Sequence, residues 1–235
     1  MAFVVTAPAV PASPVVGSSD LFPIRRVYCV GRNYAEHAKE MGFSDRDPPF
    51  FFMKPADAVV PVAQGHTAQI EYPMGTSNYH HEIELVVAIG KGGRNIKAAD
   101  ATQHIYGYAV GLDMTRRDCQ FAMRDKGRPW ELGKAFDNGA PMGPITPASQ
   151  CGHLTSGTIK LDVNNKPRQA SDIAKLTWNV NETIEHLSAY FELQPGDLIF
   201  TGTPEGVAAV VPGDKLIGEI AGLGSLQIEI TPLKS

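Results

Sequence analysis

The sequence predicts a mainly β protein with a few helices, of the α+β class, and three observations carry that prediction. Short apolar runs recur along the chain (IRRVYCV, AVVPV, IELVVAI, YGYAVGLD, TIKLDVN, DLIFTG, KLIGEI and SLQIEI), each bounded by Gly, Pro or Asn as short strands are. Gly (23) and Pro (18) are spread evenly through the 235 residues. Helical signals occur in only three places, and strands do not alternate with helices as a doubly wound sheet requires.

The first nineteen residues carry no charged side chain, and Pro8, Pro11 and Pro14 interrupt any apolar helix. Without a basic start, residues 1–20 read as an extended N-terminal arm rather than a signal or anchor. The first helix is expected over residues 34–41. Asn33 caps it, Glu36 sits three residues on, and Gly42 closes it. The polar, Pro-rich stretch 44–49 follows, so the region near 34–49 reads as a lid helix with its hinge. The second helix is expected over 116–126, with Thr115 as cap, Asp118 completing the box and Gly127 closing it. The third spans about 182–193, with Ile184, Leu187 and Phe191 on one face, and stops before Pro195-Gly196. No repeat or linker divides residues 21–235, which read as one domain. No stretch approaches the ~20 apolar residues of a membrane span.

Composition bounds the function. Hydrophobic residues make up 43% and charged residues 20%, as in ordinary globular proteins. Net charge is 21 − 25 = −4 and no Lys/Arg run exceeds two, so nothing points to nucleic acid. Capture of an anionic ligand must therefore be local. Three widely spaced cysteines without a CxxC fit a reducing, cytoplasmic setting without disulfides or structural zinc.

The most informative segment is His80-His81-Glu82-Ile83-Glu84-Leu85-Val86-Val87-Ala88-Ile89. On a strand, Glu82 and Glu84 share a face with His80 and Val86, while His81, Ile83, Leu85 and Val87 take the other. Two carboxylates about 7 Å apart on an apolar strand are costly unless a cation bridges them. Asp113 ends another strand-like run and supplies a third hard-oxygen ligand, a set that favours Mg²⁺ or Mn²⁺ over zinc. His80 and His81 are ligands, supporting groups or ordinary paired histidines.

Other residues suggest chemistry. His37 and Glu40 are spaced i, i+3 on the first helix, where the carboxylate can orient the imidazole as a general base. Lys134, flanked by Gly133 and Ala135, can hold a carboxylate or a developing enolate. Gly202 and Thr203 follow an apolar run and offer an N–H and a hydroxyl to an anion.

Together, Val30-Gly31-Arg32-Asn33-Tyr34-Ala35-Glu36-His37, Phe52-Met53-Lys54-Pro55, His81-Glu82-Ile83-Glu84-Leu85, Gly111-Leu112-Asp113-Met114-Thr115-Arg116-Arg117-Asp118, Lys134-Ala135-Phe136 and Gly202-Thr203-Pro204 resemble the fumarylacetoacetate hydrolase family over roughly residues 20–230. The resemblance implies a mixed β-sandwich roll forming a single catalytic domain. It implies Mg²⁺ or Mn²⁺ held by Glu82, Glu84 and Asp113, a lid carrying the His37–Glu40 dyad, and a homodimer. It also implies that Gln120, Lys134, Gly202, Thr203 and Arg32 surround the substrate. The expected reaction is hydrolysis of the carbon–carbon bond of a small 2,4-dioxo acid. Fumarylpyruvate or maleylpyruvate would give pyruvate plus fumarate or maleate, as in gentisate-type aromatic catabolism. The alternative within the family is oxaloacetate decarboxylation or a related 2-oxo acid decarboxylase or isomerase activity.

Overall fold

The computed structural model describes residues 3–34 and 47–234. The apolar runs become strands of two main sheets. The larger has eight strands and runs in the order Phe51–Lys54, Arg26–Val30, Asp197–Phe200, Ile83–Ile89, Ile105–Leu112, Ala140–Met142, Val59–Pro61, with Thr146–Pro147 also paired to Ile105–Leu112. It is mixed: Asp197–Phe200 lies parallel to Arg26–Val30 and Ala140–Met142 parallel to Val59–Pro61, while the other neighbours are antiparallel. The second sheet has the order Lys166–Asp172, Thr158–Val163, Lys215–Ile220, Gly224–Thr231, Thr67–Glu71.

Strand Ile83–Ile89 is buried along its whole length because both of its faces meet apolar layers. Ile83, Leu85, Val87 and Ile89 join the core that contains Ile159, Leu161, Leu216 and Ile228 of the second sheet. Val86 and Ala88 join a separate core with Val27, Cys29, Leu198 and Phe200. Residues 12–15 of the N-terminal arm close over this second core. Ala12–Pro14 pairs with Leu21–Pro23, and buried Val15 bridges to Ile145.

A third, small sheet places Tyr79–His81 between Thr115–Arg116 and Ala208–Val210. The run 80–89 is thus two strands rather than one continuous strand, and Glu82 is the residue between them. Asp113 occupies the equivalent gap between Ile105–Leu112 and Thr115–Arg116. The Asp113 N–H donates to the Glu82 carbonyl at 2.8 Å, so the two gaps lie side by side.

The helices differ from expectation at their starts. The second expected helix is Arg117–Arg124, and Thr115 does not cap it. Thr115 is in a strand, and its hydroxyl donates to the Asp113 carbonyl at 3.1 Å. Asp118 instead accepts from the Thr76 hydroxyl at 2.6 Å and the Ser77 N–H at 2.9 Å, so tertiary partners replace the expected box. The third helix is Val180–Tyr190, starting two residues earlier than expected because Asn179 and Glu182 form a capping box. The expected helix at 34–41 lies almost wholly outside the described residues, as do His37 and Glu40. No helix among the described residues is long and apolar enough to cross a membrane.

Candidate active site

Glu82, Glu84 and Asp113 are all buried, and one carboxylate oxygen from each lies within 4.8 Å of the others. The fold produces this in two ways. Alternation along the chain puts Glu82 and Glu84 on the side that also carries His80, and all three line one cavity. Antiparallel pairing sets Glu84 opposite Gly111, two residues before Asp113. Gly111 is required there, because a Cβ would come within 2.5 Å of Val86 Cγ2 and 2.7 Å of Phe200 Cε1.

Three buried acids this close repel one another, and the protein answers with three buried cations. Lys134 Nζ donates to Glu82 Oε2 (2.8 Å), Asp113 Oδ2 (2.7 Å) and Thr115 Oγ1 (2.6 Å). Lys54 Nζ lies 2.8 Å from Asp113 Oδ1. The Arg117 guanidinium pairs with Glu82 Oε1 and also donates to Gln120 Oε1. Burial alone would raise the Glu82 carboxyl, but Lys134 and Arg117 overcome it and hold the group well below the usual carboxylate range. Burial would likewise lower Lys134, and Asp113 and Glu82 reverse that, raising it. Among the described residues Glu84 has no ion pair of its own. Burial, then Asp113 and Glu82, push its carboxyl far up, against the opposing pull of Lys134 and a bond from the Gly202 N–H at 2.7 Å.

This donor set fits a hard divalent cation. Three carboxylates converge, no thiol or imidazole joins them among the described residues, and two added positive charges would relieve the repulsion that raises the Glu84 carboxyl. Both histidines are paired within the protein instead. His80 Nε2 bonds Asn78 Oδ1 at 2.8 Å, while its Nδ1 accepts from Arg117 Nε at 3.4 Å. Burial, then Arg117, lowers His80 to about 4. His81 Nδ1 meets Gln169 Oε1 at 2.9 Å.

The remaining expected residues gather around the same cavity. Gln120, Lys134, Thr203 and Arg32 line it together with the three carboxylates. Gly202 does not, and instead anchors Glu84 from behind. It adopts φ +100°, and a Cβ would lie 2.7 Å from Asn33 Cβ. Asn33 in turn donates to the carbonyls of Trp178 and Thr201, both at 2.8 Å, and so ties the region before residue 35 to the strand end at Thr201.

Sequence reasoning missed the roles of Lys54, Arg117 and Gln169. The first two lie inside the motifs of the family resemblance, where nothing local marks them as counter-charges. Gln169 had no local signal, because it sits in the polar strand Lys166–Asp172. Its Oε1 accepts from the Ile83 N–H (3.1 Å), and its Nε2 donates to Thr203 Oγ1 (2.9 Å) and the Pro204 carbonyl (2.8 Å). One buried amide therefore couples the carboxylate strand to the Thr203 loop. Its orientation is fixed, because a flipped amide would set donor against donor at Ile83 and acceptor against acceptor at Pro204.

Comparison with known proteins gives the same reading. Residues 26–231 match the fumarylacetoacetate (FAA) hydrolase C-terminal family model. A solved structure of fumarylpyruvate hydrolase from Pseudomonas aeruginosa, in complex with Mn²⁺ and pyruvate, is 57% identical with a TM-score of 0.97, and the match covers 99% of this chain and 100% of that one. A fumarylpyruvate hydrolase from Ralstonia sp is 49% identical over 183 residues, 78% of this chain and 93% of that protein. A mitochondrial oxaloacetate decarboxylase from Dictyostelium discoideum is 38% identical over 205 residues, 87% of this chain and 89% of that protein. With the family model matched over most of its length and relatives at 57% and 49% identity, the chain belongs to the fumarylacetoacetate hydrolase family and is an enzyme of the carbon–carbon hydrolase type.

Proposed function

We propose that this enzyme hydrolyses an acylpyruvate, fumarylpyruvate or maleylpyruvate, to pyruvate plus fumarate or maleate, in gentisate-type aromatic catabolism. The observation that carries the reading is one cavity with three buried carboxylates in its wall and Lys134, Gln120, Arg117 and Thr203 around them. Glu82, Glu84 and Asp113 would hold Mg²⁺ or Mn²⁺. When bound, that cation supplies Lewis-acid stabilisation to the charge that develops on the 2-oxo group.

The chain's own residues divide the other tasks. His37, oriented by Glu40, takes a proton from the attacking water. Gln120 has its carbonyl oxygen held by Arg117, which leaves its amide N–H groups to face the oxyanion formed on the attacked carbon. Lys134, beside Glu82 and Asp113, keeps positive charge at the pyruvate end of the ligand. Thr203 Oγ1 accepts from Gln169, so its own proton is directed elsewhere and is suited to a ligand oxygen. The bond between the third and fourth carbons breaks, and protonation of the third carbon completes pyruvate. We extend the reading to a cytoplasmic homodimer, on the strength of the family.

The second reading is oxaloacetate decarboxylation, favoured by the 38% identity to a decarboxylase. The two separate in a Mn²⁺-supplemented assay of pyruvate release from fumarylpyruvate, maleylpyruvate and oxaloacetate in parallel. EDTA-sensitive turnover of either acylpyruvate supports the hydrolase reading, and turnover of oxaloacetate alone overturns it.

A further inference from the structure

The helix Arg117–Arg124 lays a graded face along the cavity. Arg117, Gln120, Phe121 and Arg124 stand at i, i+3, i+4 and i+7 and all line it. Arg117 and Gln120 are buried beside the acids, Phe121 is 40% exposed, and the Arg124 side chain is 36% exposed. The face thus runs from the acid cluster to the mouth. Seven residues of helix separate the two arginines by about 10 Å along the axis. Between them lies an apolar ring, with Phe121 4.3 Å from Arg124 Cζ and 5.8 Å from Arg117 Cζ.

A second guanidinium joins Arg124 at the mouth. Arg32 lines the same cavity and lies 5.7 Å over the Phe50 ring. Burial, then Arg124, lowers Arg32, so the two like charges feel each other. Arg124 is paired at 2.9 Å with Asp125, which is 63% exposed and so is a weak, screened partner that a ligand can displace. Cation, apolar strip and cation in sequence match a molecule with an anionic head, an apolar middle and an anionic tail.

We propose that Arg124, with Arg32 beside it, captures the distal carboxylate of a dicarboxylic 2-oxo acid. The site thereby selects seven-carbon diacids over monoacids that share only the pyruvate end. The proposal rests on the acylpyruvate reading for the placement of that end at the acids. It adds which residue reads the free carboxylate of the acyl group, and so gives Arg124 a specificity role.

The test uses binding, so that it stands apart from turnover. Affinities of 2-oxoheptanedioate and 2-oxoheptanoate, which lack the 4-oxo group and are not hydrolysed, are measured by calorimetry on the full chain with saturating Mn²⁺. The wild type binds the diacid about ten- to a hundredfold tighter, the range for a hydrogen bond to a charged group. Arg124→Gln removes most of that preference while leaving monoacid affinity within about twofold, and Arg124→Lys keeps part of it. Equal affinities in the wild type, or an equal loss for both ligands in Arg124→Gln, would overturn the proposal. Turnover of fumarylpyruvate by the same wild-type sample reports separately on the hydrolase reading, so the two failures are distinguishable.

Discussion

Glu84→Gln isolates the cost of assembling the acid cluster. The substitution keeps the shape and leaves an oxygen to accept from the Gly202 N–H, but removes the ability to ionise. At the 4.8 Å limit, each neighbouring carboxylate repels an ionised Glu84 by about 3 kcal/mol at an effective dielectric of about 20. Lys134 and the Gly202 N–H offset part of this, leaving a net penalty of about 2 kcal/mol in the metal-free protein. The sign follows from linkage. Folding raises the Glu84 carboxyl above its unfolded value of 4.5, so the unfolded chain ionises first as pH climbs and wild-type stability falls. Below that value both states are protonated and the penalty vanishes. In EDTA at pH 8, Glu84→Gln should therefore melt above the wild type by roughly 4–8 °C. The gap should shrink toward pH 5. Mn²⁺ should raise the wild-type melting temperature and release a proton, and should do neither for the variant. A variant that melts below the wild type at both pH values would mean that an ionisable Glu84 costs the metal-free fold nothing.

Three further outcomes follow from the same contacts. Lys134→Met removes the ammonium between Glu82 and Asp113 and should cost about 3–5 kcal/mol in denaturant titrations without metal, with part of the loss recovered by Mn²⁺. Gly202→Ala forces a Cβ into a left-handed φ and against Asn33, so melting in EDTA should show a loss of about 1–3 kcal/mol, and Mn²⁺ titration a weaker cation affinity from displacement of the Glu84 anchor. Gln169→Leu strands the Ile83 N–H and the Pro204 carbonyl, each at about 1–3 kcal/mol, so urea unfolding should show a loss of at least that size.

The alternation of Glu82, Ile83, Glu84 and Leu85 was legible because a central strand sorts side chains onto two faces whatever its partners. That is why two of the three acids were placed together from local pattern alone. The break at Glu82 was not legible. It arises because Tyr79–His81 and Ile83–Ile89 pair with different sheets, which is a property of distant strands. The counter-charges were hidden for the same reason. Lys54 sits in a strand-like phrase, and nothing near it shows that its ammonium reaches Asp113. Strand Lys166–Asp172 escaped notice because it is polar, with buried Gln169 among mostly exposed neighbours. The turn before it carries a local signal in retrospect: Asn164 and Asn165 both take positive φ, as a tight hairpin demands. Thr115 resembled a helix cap by spacing, yet the strand pairing of Thr115–Arg116 claimed it first.

In the proposed reaction, water attacks the acyl carbon of an acylpyruvate in this cavity. The most direct test is turnover of fumarylpyruvate in ¹⁸O-labelled water with Mn²⁺, followed by mass spectrometry of the products. Hydrolysis should give one labelled oxygen in the released fumarate, pyruvate in equal amount and no carbon dioxide. Carbon dioxide release with no labelled dicarboxylate would contradict it.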